Sequence, residues 1–256
     1  MDNLENAHPV PEPSVVSPDP AASAVCPFGN APWLGIALTA LLWLKAVWSV
    51  GDRFLTRLLD SADSVALSGY INVGAIAKLV IFSCGFLVLY LIAARRTESI
   101  PNRAAFLLCA LSEGCMAVPV VLSLLLPTAA DPYTSLYLGA ALGCASSLAL
   151  TVGFFIFAVN RENSRDTRLC AGFVVPAHAV RTFAVASTYF ATWMIYQGGA
   201  AVWMSVLAVS GFITLFTGII ADILSGAAFL FMRTPVRTPQ YPEKNPGSDG
   251  KRQENG

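Results

Sequence analysis

Glu113, His178, Arg181 and Asp222 all fall inside long apolar runs, away from the water that ionised groups require. Arg181 is the most demanding of them. It sits near the middle of Leu169–Tyr196, a stretch that reads as a membrane-spanning helix. A guanidinium at that depth costs roughly 3–17 kcal/mol, depending on how far it reaches toward water. A neighbouring helix must therefore supply an opposite charge or a wet cavity. On a helical wheel, His178, Arg181, Thr188, Tyr189, Thr192 and Tyr196 share one arc of roughly 100°. Thr182 lies at the edge of that arc and Ser187 opposite it. Such a stripe can bind a polar solute or a proton, or it can orient a bundle through ion pairs. The residue types alone leave both readings open.

The elements that position these groups follow from composition. The chain is 55% hydrophobic and 12% charged, with a mean hydropathy of +0.61. Soluble domains average about 25% charged residues. The expected class is an all-α polytopic membrane protein in contact with the lipid bilayer, with six spans over residues 33–232. These are Trp33 to about Val50, Ile71–Ala94, Ala104–Leu126, about Thr134–Val159, Leu169–Tyr196 and Ala200–Phe231. Pro119 and Pro176 are expected to bend the third and fifth. Gly51–Tyr70 reads equally well as a short helix on the membrane surface or as an extension of the first helix into water. The last run is longer than a bilayer requires, so it is either tilted or broken near Ser225 and Gly226. Met1–Pro32 and 233–256 are polar and Pro-containing, and are expected to form disordered tails. Met1–Pro32 also lacks the basic and apolar regions of a signal peptide.

Charge distribution predicts orientation. The two tails and the 2–3 and 4–5 loops hold 11 Lys and Arg, whereas the other three loops hold 2. Positive charge stays cytoplasmic, which places both termini in the cytoplasm of a cell membrane. Counted from the cytoplasmic ends of their helices, Glu113 is about 14 Å deep, Arg181 about 18 Å and Asp222 about 14 Å. The three can share one level, and Glu113 is the expected first partner of Arg181. Asp222 is second, because the register of its helix is less defined. Lys45 and Lys78 fall in the outer halves of their spans and are expected to snorkel outward.

Other chemistry is excluded by pattern. The net charge is zero, which gives no field for nucleic acid. The six cysteines form no CxxC and no metal spacing with histidine, and read as small packing residues. No zinc-protease, nucleophile-elbow, P-loop or dinucleotide motif occurs, so neither an enzyme nor a cofactor is expected. Gly139 and Gly143 have the GxxxG spacing that lets helices approach closely, here expected within the bundle rather than between copies.

Six spans with an Arg-rich 2–3 loop resemble one half of a major-facilitator-like domain. The stretch PWLGIALTALLWLKAVWS resembles the first helix of membrane domains in some actinobacterial LuxR-type regulators. The resemblance implies a transporter-like or ligand-sensing role, in a half-sized unit paired with itself or with a second membrane chain. Those domains have twelve helices and end in a DNA-binding helix-turn-helix, whereas this chain has six spans and only a short segment after Arg233. The loop sequence Arg95-Arg96-Thr97-Glu98 also lacks the Gly and Asp of the usual facilitator loop. No functional residue carries over. The competing expectation is a non-catalytic interaction or assembly protein whose buried charges are structural.

Overall fold

The computed structural model describes residues 25–62, 70, 73–125, 132–198 and 201–233. The protein is an all-α polytopic membrane protein, and among the described residues six helices are long and apolar enough to cross a bilayer. They are α1 (Trp33–Ala62), α2 (Val73–Arg96), α3 (Ile100–Leu125), α4 (Pro132–Val159), α5 (Arg165–Tyr196) and α6 (Ala201–Met232). A span in lipid must satisfy its backbone internally, which long apolar runs do by forming helix. Successive helices from α2 to α6 pack side by side, and α1 closes the ring against α6 on one side and α2 on the other. The end where α1 begins and α6 finishes is the base of the bundle; the opposite end is its mouth.

Several boundaries differ from the expected ones for physical reasons. α1 runs unbroken to Ala62, so Gly51–Ala62 extends the first span. α5 starts at Arg165, because Ser164 caps it by accepting the Thr167 amide at 3.1 Å, with Asp166 in the first turn. α6 does not break at Ser225 and Gly226. Gly226 is instead where α1 crosses: a methyl there would lie 2.5 Å from Trp43 Nε1. Thr39 Oγ1 lies 2.7 Å from the Gly226 carbonyl, and Trp43 Nε1 donates to the Ile223 carbonyl at 3.3 Å. Pro119 and Pro176 are both accommodated inside helices. α2 contains a π-helical segment over Leu79–Cys84, which no local sequence signal announced. The GxxxG pair packs within the bundle, with Gly143 beneath Val185 and Tyr189 of α5.

The base is filled by aromatic side chains. Phe229 lies within 5.3–6.5 Å, centroid to centroid, of Phe28, Tyr90, Phe106, Phe154 and Phe157, in tilted, stacked and edge-on pairs. All six are essentially inaccessible. Phe28 corrects the expected tail boundary at Pro32. The Val25 amide donates to the Glu162 carbonyl at 2.8 Å, Cys26 Sγ donates to the Met232 carbonyl at 3.5 Å, and Phe28 enters the core. Burial pushes the Cys26 thiol pKa up. The remainder of the expected tails, 1–24 and 234–256, lies outside the described residues.

Beneath the aromatic layer, the two basic loops are joined by a polar clasp. Asn102 Nδ2 donates to Asn163 Oδ1 at 2.7 Å, and Asn160 and Asn163 each donate to Asn102 Oδ1 at 3.0 Å. Asn163 also donates to the Phe157 carbonyl at 3.0 Å, and Ser99 donates to Glu162. Asn102, Asn160 and Asn163 are buried, and each has its partner, as buried amides require.

Candidate functional site

Immediately above the aromatic layer, four helices bring charge to one level. Lys45 of α1 reaches Asp222 Oδ1 of α6 at 3.4 Å and Glu113 Oε1 of α3 at 3.9 Å. Arg181 of α5 reaches the same Asp222 oxygen at 3.8 Å. Lys45 Nζ also sits 5.4 Å from the centroid of the Phe86 ring, within cation–π range. The level therefore carries two cations and two anions, and formally cancels. Glu113, Arg181 and Asp222 do share a depth, but the expected pairing is corrected. Arg181 contacts Asp222, while Glu113 is contacted by Lys45. The reason is the unbroken α6, which packs on both α1 and α5 and sets Asp222 between Lys45 and Arg181.

Lys45 is corrected as well. It turns into the bundle rather than outward, because Asp222 and Glu113 lie within 3.9 Å of its Nζ. Lys78 does lie toward the mouth. There its Nζ pairs with Asp52 Oδ2 at 2.6 Å, and Tyr70 donates to the other Asp52 oxygen at 2.9 Å.

The ion pairs are loose. Charge-assisted N–H···O contacts are ordinarily ~2.7–2.9 Å, against 3.4–3.9 Å here. Arg181 Nε and Nη1 are buried with no hydrogen-bond partner among the described residues. The slack is next to empty space. A cavity of about 230 Å³ is lined by Lys45, Lys78, Glu113 and Arg181 together with apolar side chains such as Phe82 and Met116. A second, of about 340 Å³, touches Arg181 from the other side and is bounded by Thr188, Tyr189 and Thr214. Met116, Val120, Ser146 and Arg181 belong to both walls. Both cavities lie at the charged level or toward the mouth, since the aromatic layer fills the base.

The helix-5 stripe divides at this level. His178, one turn below Arg181, belongs to the dry layer. It is 1% exposed, stacks on Phe154 at 5.4 Å and shares a 2.9 Å hydrogen bond between Nε2 and Ser225 Oγ. Above Arg181, Thr188 and Tyr189 line the second cavity, and Thr188 Oγ1 lies 3.2 Å from Thr214 Oγ1. Thr192 donates to the Thr188 carbonyl at 2.8 Å and lines neither cavity. Sequence reasoning missed the Ser112–Ser146 hydroxyl pair, 2.8 Å apart in the first cavity wall, and the π-helical segment that contributes Leu79, Phe82 and Ser83. Isolated serines in apolar helices give no signal of which neighbour they face. Among the described residues, no group of three His, Cys, Asp or Glu is arranged to hold a metal.

No protein-family model, curated protein or solved structure matches this chain.

Proposed function

We propose that the protein binds a small polar solute inside the membrane, in a transporter-like or ligand-sensing role. The observation that carries this reading is the cavity at Lys45, Glu113 and Arg181, walled by ion pairs too long to satisfy one another. A cluster serving only to fasten helices gains from short, fully hydrogen-bonded contacts, because loose buried charges keep the desolvation cost without the full Coulomb return. The fastener reading draws its own support from Asp222, which ties α1 to α5 through both cations. The proposed orientation has the base, with its basic loops, in the cytoplasm, so that the cavities face the opposite side.

The deciding experiment is a thermal-unfolding screen of the purified protein against a broad set of small solutes. A ligand at a hundred times its Kd stabilises by about 2.7 kcal/mol. Stabilisation of the wild type that Arg181→Gln abolishes supports the proposal; a uniformly silent screen sinks it. Orientation is checked separately with reporters after Gly256 and at Asp131. The expected result is a cytoplasmic signal from the first and an external one from the second.

A further inference from the structure

The charge count around the first cavity restricts what can enter it. Lys45 and Arg181 are balanced by Glu113 and Asp222, and Lys78 is balanced by Asp52. The empty site is therefore formally neutral. A monoanion or a monocation would leave a net charge in a region walled by apolar helices, where uncompensated charge is costly. A net-neutral solute avoids that penalty. The wall combines charged groups and serine hydroxyls with Trp48, Leu79, Phe82, Met116 and Leu150, and this second set suits an apolar body. Opposite charges inside one small molecule, carried beside an apolar body, match both the balance and the wall.

The placement of unspent donors and acceptors points the same way. Arg181 and Glu113 both line the cavity, and each stands off from its opposite charge, Arg181 at 3.8 Å from Asp222 and Glu113 at 3.9 Å from Lys45. A guanidinium fork suits a carboxylate, and a carboxylate suits an ammonium. At about 230 Å³ the cavity is below the roughly 300–1,000 Å³ of drug-sized sites, which calls for a small solute.

Resting on the solute-binding reading above, we propose that the ligand is a small zwitterion with an apolar body, in its simplest form an apolar α-amino acid. Its carboxylate lies against Arg181, its ammonium against Glu113, and its side chain against Phe82, Met116 and Leu150.

The test compares three forms of one molecule by thermal unfolding of the full-length protein: L-leucine, the monoanion N-acetyl-L-leucine and the monocation L-leucinamide. Valine and phenylalanine series run in parallel. The free amino acid of at least one series is expected to bind at least tenfold tighter than both derivatives. Glu113→Gln leaves the site one positive charge in excess, so it should move the preference to the N-acetyl form. Arg181→Gln leaves one negative charge in excess and should move it to the amide. Met116→Trp, which fills space without changing charge, should weaken all three forms at least tenfold. The wild-type comparison decides the matter even where a charge variant does not fold. Equal binding of the three forms, or preference for a derivative in the wild type, overturns the zwitterion. If other solutes in the broad screen stabilise and no amino acid does, the zwitterion falls and the solute-binding function stands. If nothing in either set stabilises, both fall.

Discussion

The base and the mouth of the bundle are built from the same six helices by opposite rules. At the base, aromatic side chains interlock in a dry layer around Phe229, and the asparagines of the clasp have their partners. At the charged level and toward the mouth there are two cavities, and Lys45, Glu113 and Arg181, which line them, stand 3.4–3.9 Å from their partners. The contrast teaches where rigidity and function divide. A membrane bundle lacks a hydrophobic force between its helices and depends on close packing and hydrogen bonds. Concentrating those contacts at one end leaves the other end free to hold space.

The largest effect that tests this contrast is removal of Phe229. Phe229→Ala should cost about 3–5 kcal/mol, as large-to-small changes in tight cores do. Met116→Ala, on the cavity wall, should cost well under half as much. Equal losses in thermal or denaturant unfolding would erase the distinction between the two ends.

Asp222→Asn should cost a similar or slightly smaller amount, about 3–5 kcal/mol, because it strands both Lys45 and Arg181. The double change Asp222→Asn/Arg181→Gln should recover much of it. A double-mutant cycle should give stronger coupling between Arg181 and Asp222 than between Arg181 and Glu113. Reversed coupling would restore the pairing expected from sequence.

The smallest effect is expected at the clasp. Asn102→Ala takes the donor from buried Asn163 Oδ1 and one of two acceptors from each of the Asn160 and Asn163 amides, and should cost about 1–3 kcal/mol. Solute-dependent stabilisation should be unchanged in this variant, since the clasp lies beneath the aromatic layer. A lost ligand response would show that the base and the site are coupled.

The sequence disclosed the spans because long apolar runs and basic loops are local signals. It also brought Glu113, Arg181 and Asp222 to a common depth, since depth follows from helix rise. The partners were harder to read. Lys45 reads as outer because Gly51–Tyr70 is polar enough to suggest a surface segment, yet the helix continues to Ala62 and Lys45 turns inward to Asp222. Glu113 reads as the better partner because Ser225–Gly226 resembles a break, whereas Gly226 serves a helix crossing with Trp43. The Pro-rich start hid Phe28, and the clasp joins two loops that each read as solvated basic turns. In all of these, the deciding contact comes from a helix or loop distant in sequence, which local pattern cannot report.

The closure of α1 on α6 sets a timetable for the protein's synthesis. Phe28 is made 201 residues before Phe229, its neighbour in the aromatic layer. At ribosomal speeds of about 5–20 residues per second, that interval is roughly 10–40 s. Lys45 waits almost as long for Asp222, which lies 177 positions downstream. Glu113 arrives sooner, 68 positions after Lys45. Until α3 brings it, the ammonium of α1 is unmatched, which a lysine manages by extending toward the nearer headgroups. Lys45 is therefore drawn inward in two steps, first by Glu113 of α3 and then by Asp222 of α6. The bundle is complete only once α6 has been made, and a truncation that removes α6 leaves exposed the face of α1 that packs on it.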